Sequence, residues 1–287
     1  MVYLLALGSA VLYGAGDFTG GLATRRAGTI PVVFLSQLSG LLVLALLLPL
    51  LPPASPTRAD LLWGACAGLT GGIGVALLYR ALAIGIMAVV APTTAVCAVA
   101  IPVMVSVLLG ERPVPLAVAG IALGILSIVL VSRQQTSAPQ VSGRAGARKQ
   151  PTGIGTALVS GVAIGLFFLS LAQTRSEAGM WPLFIARSAS VTLFGVVAIA
   201  SGQSVRMPAR VLGLAAVCGV IDMLANALYL LAAQQGPLSL VVTLSSLYPA
   251  STVLLARIVL SERLNRWQLT GVGCALAAVV LIVTGGP

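Results

Sequence analysis

Long apolar runs recur from one end of the chain to the other, each bounded by a short stretch of polar, glycine or proline residues. The breaks fall at residues 23–30, 52–60, 83–86, 110–113, 133–152, 174–180, 201–210, 235–238 and 261–266. The segments left between them are 2–22, 31–51, 61–82, 87–109, 114–132, 153–173, 181–200, 211–234, 239–260 and 267–285. Each is close to the ~20 residues that a helix needs to cross a bilayer core. Hydrophobicity within a run is continuous rather than alternating, which predicts helices and not the strands of a barrel. Trp63, Trp181 and Trp267 stand at the start of three segments, where an aromatic ring anchors a helix among lipid headgroups. The pattern predicts an all-α polytopic membrane protein with ten transmembrane helices.

The longest break, 133–152, is basic and divides the chain into two halves of five predicted helices, 1–132 and 153–287. At a constant offset the halves share their punctuation. Gly14 meets Gly165, Gly28 meets Gly179, Pro31 meets Pro182, Gly68 meets Gly219, and Glu111–Arg112 meets Glu262–Arg263. Coincident breaks mean more here than shared apolar letters, and they indicate an internal duplication. Five is odd, so the second half would enter the membrane from the opposite side. The expected architecture is two inverted five-helix repeats, the arrangement of secondary transporters with a site between the repeats.

Composition narrows the class further. Apolar residues make up 59% of the chain and charged residues 8%, against the ~25% charged residues usual in soluble domains. Mean hydropathy is +1.09. The net charge of +10 would suggest nucleic acid in a soluble protein. Here the basic residues sit mostly in the breaks, where headgroups and topology account for them, so no nucleic-acid partner is expected. Cys66, Cys97, Cys218 and Cys274 all lie in apolar runs and look like small buried hydrophobes, without metal-ligand spacing. No metal and no cofactor is expected. The first run lacks a basic leader, so it is taken as a retained helix.

The segments "LLGERPVPLAVAGIALGILSIVL" at 108–130 and "VLSERLNRWQLTGVGCALAAVVLI" at 259–282 end the two halves alike. With the opening "LALGSAVLYGAGDFTGG", they make the chain resemble the EamA-like permeases of the drug/metabolite transporter superfamily over nearly its whole length. Tyr13-Gly14 stands where the family commonly has Trp-Gly. The resemblance implies transport of amino acids, metabolites, sugars or drugs. It also implies a central cavity lined by the first, third, fourth, sixth, eighth and ninth helices, with the other four outside.

Charges inside the spans supply the candidate chemistry, because each costs roughly 2.5–3.5 kcal/mol to insert at mid-bilayer. Of six acidic residues, Asp60, Glu111, Glu177 and Glu262 belong to breaks, leaving Asp17 and Asp222 within spans. Histidine is absent, so proton coupling falls to carboxylates. Asp17 lies ~7 Å from one end of its helix. Arg80 and Arg257 approach the same side, and either could pair with Asp17 as a clamp or gate; a direct role for Asp17 in coupling or substrate binding is the equal alternative. Asp222 lies near mid-helix with no arginine predicted at its depth, and Asn226 and Tyr229 share its face. An unpaired carboxylate there is the expected coupling group or contact for a cationic substrate, with a buried structural aspartate as the plainer alternative. Tyr13, Tyr79 and Tyr248 are further candidate contacts. Arg187 is expected to snorkel to the membrane surface, away from the site. Pro92, Pro102 and Pro249 are expected to interrupt the fourth and ninth helices.

The breaks on the side away from the termini hold Arg25, Arg26, Arg133, Arg144, Arg148, Lys149, Arg206, Arg210, Arg263 and Arg266. The termini side holds Arg58, Arg112 and Arg175. The positive-inside rule therefore places the termini outside, whereas the resemblance implies termini inside. Both put the two termini on one side. The expected function is alternating-access transport of a small organic solute across the cell (inner) membrane, as proton-coupled export. The partners are lipid, solute and protons; the oligomeric state is not fixed. A facilitator or uptake permease for sugars or organic anions, with Arg80 and Arg257 as contacts, is the alternative. A membrane-embedded enzyme is the other class, disfavoured because no histidine, metal cluster or activated nucleophile is present. No phosphate-binding G-x-x-x-x-G-K-[ST] loop occurs either.

Overall fold

The computed structural model describes residues 1–108, 115–132, 153–204, 206–235, 241 and 244–284. The side chains at 103, 106, 107, 117, 128, 131, 132, 233 and 234 are not described. Glu111, Arg112 and the basic linker 133–152 therefore lie outside the described residues. Among those described the regular structure is all helical: α1 (Val2–Ala27), α2 (Thr29–Leu47), α3 (Arg58–Ile84), α4 (Met87–Leu108) and α5 (Pro115–Ser132) in the first part. They are followed by α6 (Ile154–Ala172), α7 (Trp181–Ala200), α8 (Ala209–Gln235), α9 (Tyr248–Val259) and α10 (Arg266–Thr284). Seven of these helices are long and apolar enough to cross a membrane; α4, α5 and α9 carry shorter apolar stretches.

Two features depart from the sequence pattern and a third follows it. α1 runs through Arg25 and Arg26 and stops only at Gly28, whose φ of 82° lies in the region that favours glycine. The two basic residues in its last turn suit the negative end of the helix dipole. α4 is continuous through Pro92 and Pro102 and is not interrupted. Pro249 does mark a break, standing in the first turn of α9, where its missing N–H is no loss.

Contacts between the halves recur with the halves exchanged. α3 packs on α6 and α7, as α8 packs on α1 and α2; α4 packs on α6, as α9 packs on α1. The same correspondence holds at single bonds. Thr94 donates to the Ala157 carbonyl (3.3 Å) and Ser245, its partner at the same offset, donates to that of Ala6 (3.4 Å). Ser190 donates to Gly68 O (2.6 Å) and its counterpart Ser39 to Ala216 O (3.1 Å). These hydroxyls satisfy themselves on neighbouring backbones, the usual use of serine and threonine between membrane helices. Glycine makes such approaches possible: a methyl on Gly64 would lie 2.6 Å from the Pro182 carbonyl oxygen.

Candidate functional site

α1 is the helix on which the site is built. Gly14 packs against the start of α9, where the Thr252 hydroxyl donates to its carbonyl (3.1 Å). Gly16 faces Asp222 of α8, close enough that an added methyl would sit 3.7 Å from the Asp222 Cβ. Gly20 lies against the Tyr79 ring of α3, 2.7 Å from such a methyl to Cε2. Small residues thus let three helices close on α1 and leave Tyr13 and Asp17 at their junction. Tyr13 meets Tyr248 edge-on, with ring centroids 6.4 Å apart and planes at 66°. The Cys218 thiol donates to Gly16 O (3.2 Å), so the Tyr79 hydroxyl, 3.1 Å from the sulfur, donates to it.

Asp17 is half-buried, and its carboxylate makes no hydrogen bond or ion pair among the described residues. It is within electrostatic reach of Asp222, Tyr79 and Tyr248. Arg80 and Arg257 are both exposed and neither pairs with it. The expected Asp17 clamp is therefore corrected. Arg257 instead borders a surface cavity of about 400 Å³ with Ser261, Glu262, Arg263 and Leu264.

Asp222 differs from expectation in the opposite sense, because it has a cation. Arg187 of α7 is buried and its Nη2 binds Asp222 Oδ2 in an ion pair. Arg187 Nη1 donates to Gln37 Oε1 of α2 at 2.6 Å. Asn226 donates to the Asp222 backbone carbonyl (2.7 Å) and reaches its carboxylate (3.4 Å). Tyr229, one turn further, packs with Ala6 and Val241. Snorkelling fails for Arg187 because it lies six residues into its helix, ~9 Å deep, beside a waiting carboxylate. Its counterpart at the repeat offset is Ser36, next to Gln37, so both α2 and α7 carry polar residues at matching depth. That coincidence is the sequence signal for the pair. α2 and α7 thus bring polar groups inward, contrary to the outer position the resemblance implied. Cys66 is exposed rather than buried.

Charged contacts also cross between the halves near the two ends of α3. At its start, Thr57 and Asp60 form a capping box, and Asp60 accepts from Arg175 through the backbone N–H (3.0 Å) and Nη2 (3.1 Å). Roughly 33 Å along the same helix, Arg25 donates to Leu82 O (3.2 Å) and Gly85 O (3.3 Å). Arg25 also lies 3.7 Å from Glu262. Glu262 accepts the backbone N–H groups of Met87 and Ala88 (3.1 Å each), the favourable place for an anion at the N-terminus of α4. No group of His, Cys, Asp and Glu able to hold a metal occurs among the described residues.

A model of the EamA-like transporter family matches residues 1–133 and 151–284. No curated protein matches the chain. A solved structure described only as the crystal structure of a protein is similar at 17% identity and a TM-score of 0.60. The match covers 97% of this chain and 95% of that one, and at this identity it speaks for the fold alone.

Proposed function

Because this chain belongs to the EamA-like transporter family, a family of multi-pass membrane transporters, we propose that it exports a small organic solute across the cell membrane in exchange for protons. Residues 1–132 and 153–287 are its two inverted repeats, joined by the basic linker 133–152, and rocking of one against the other provides alternating access. Solute and proton meet at the junction of α1, α3, α8 and α9, around Tyr13, Asp17, Tyr79, Asp222, Asn226, Tyr229 and Tyr248.

The observation that carries this reading is the Asp17 carboxylate, without a hydrogen bond or ion pair among the described residues, beside an Asp222 paired with Arg187. A carboxylate without a cation in apolar surroundings gains from binding a proton or a cationic group, and one already paired gains less. The coupling role expected of Asp222 therefore passes to Asp17. The Asp60–Arg175 and Arg25–Glu262 contacts are the two closures, each broken when its end of the cavity opens. The anion-facilitator alternative is weakened, since Arg80 and Arg257 are exposed and neither pairs with an acid of the junction among the described residues.

Proteoliposomes with an imposed pH gradient test the proposal, using a panel of amino acids, sugars and cationic drugs. At least one solute should dissipate the gradient with the native protein, and Asp17→Asn should slow this on the order of tenfold or more. Solute flux that ignores the pH gradient, with or without Asp17, contradicts proton coupling.

A further inference from the structure

The Arg187–Asp222–Gln37 network breaks the symmetry of the duplication. At the repeat offset Arg187 corresponds to Ser36, Asp222 to Gly71 and Gln37 to Ser188, so the first half has no charge in the equivalent place. The slot that admits the guanidinium is built for it. A methyl on Gly40 of α2 would stand 3.3 Å from Arg187 Nη1 and 3.1 Å from the Gly219 carbonyl of α8. The guanidinium therefore passes α2 at a residue without a side chain, and Gln37, one turn earlier, receives its second nitrogen. Arg187 is more enclosed than its partner, with side-chain exposures of 10% and 27%.

We propose that Arg187 and Gln37 are positioning residues that hold Asp222 in a fixed ion pair, so that protons exchange at Asp17 alone among the carboxylates within the membrane. A planar fork answering a carboxylate on one nitrogen and an amide oxygen on another fixes both the direction and the charge of the pair. Among the described residues, the ionisable groups facing one or both aspartates are Tyr13 of α1, Tyr79 of α3, Arg187 of α7, Cys218 of α8 and Tyr248 of α9. α2 contributes no titratable group, and α4 none but Cys97, which packs against Gly161 of α6. Arg187 is the cation among them. The pair is neutral as a unit and leaves Asp17 as the acid of the junction without a cation among the described residues. This rests on the proton-coupled reading of the site, but its test requires no transported solute.

Infrared titration of the purified, lipid-reconstituted protein reads protonated carboxyl groups directly. The native protein should show a titrating carboxyl band that Asp17→Asn removes and Asp222→Asn leaves in place. Arg187→Gln should add a second titrating band. Arg187→Lys should add none, and Arg187→Gln combined with Asp222→Asn should restore the native profile. Loss of the band in Asp222→Asn with retention in Asp17→Asn overturns the proposal, as does an unchanged profile in Arg187→Gln. If Arg187→Gln does not fold, the two aspartate variants alone decide. A native pattern in this titration without solute-driven proton flux would instead refute the transport reading and leave the positioning role standing.

Discussion

At the residue scale, one arginine distinguishes the two aspartates: Arg187 pairs with Asp222, and Asp17 has no such cation among the described residues. Removing Arg187 leaves Asp222 largely buried without its counter-charge, so Arg187→Gln should lower stability by about 3 kcal/mol, the low end for a broken buried pair because Asp222 keeps some exposure. Adding Asp222→Asn should recover most of that loss, since a neutral pair strands no charge. Thermal unfolding in detergent of the two single variants and the double variant measures the coupling. Both aspartates were legible in the sequence as costly charges in apolar runs, and so was the Asp222–Asn226 face. The partnership was not. Depth along a helix says how far a group lies from the membrane surface, but not which neighbour stands opposite. Arg187 was near enough to an end for snorkelling to look sufficient, and only the packing of α2 between α7 and α8 turns it inward.

At the element scale, glycine decides how closely helices approach. α3 presents Gly64 and Gly68 to α7, and a methyl on Gly68 would fall 2.6 Å from the Ala186 Cα. The obstacle is backbone and cannot rotate away, so Gly68→Val should destabilise by about 1–3 kcal/mol. Gly155, whose added methyl meets nothing within 4 Å, supplies the control: Gly155→Ala should be neutral or better in the same thermal assay. Helix positions followed from hydrophobic runs, because lipid leaves the backbone few alternatives. Their ends followed less well. Arg25 and Arg26 read as a break, yet α1 keeps its hydrogen bonding to Gly28 and delivers Arg25 to Glu262 and to the end of α3. Proline likewise overstated disruption in α4, which tolerates two of them.

For the molecule as a whole, the duplication visible in the sequence has its counterpart in contacts that recur when the halves are exchanged. Charge departs from that symmetry. The junction has its acids on α1 and α8 and its arginine on α7, and the cross-half contacts near the ends of α3 use unrelated residues. In the proposed transport cycle each end opens while the other stays shut, with the Asp60–Arg175 contact near one end of α3 and the Arg25–Glu262 contact near the other. The most direct test places a single cysteine at Tyr13 in a background freed of the four native cysteines. Labelling is then done with a membrane-impermeant maleimide in right-side-out and inverted vesicles. Position 13 should be reachable from both sides, with Asp60→Asn raising labelling from one side and Glu262→Gln raising it from the other. Labelling confined to a single side in the parent and both variants would contradict alternating access between the two halves.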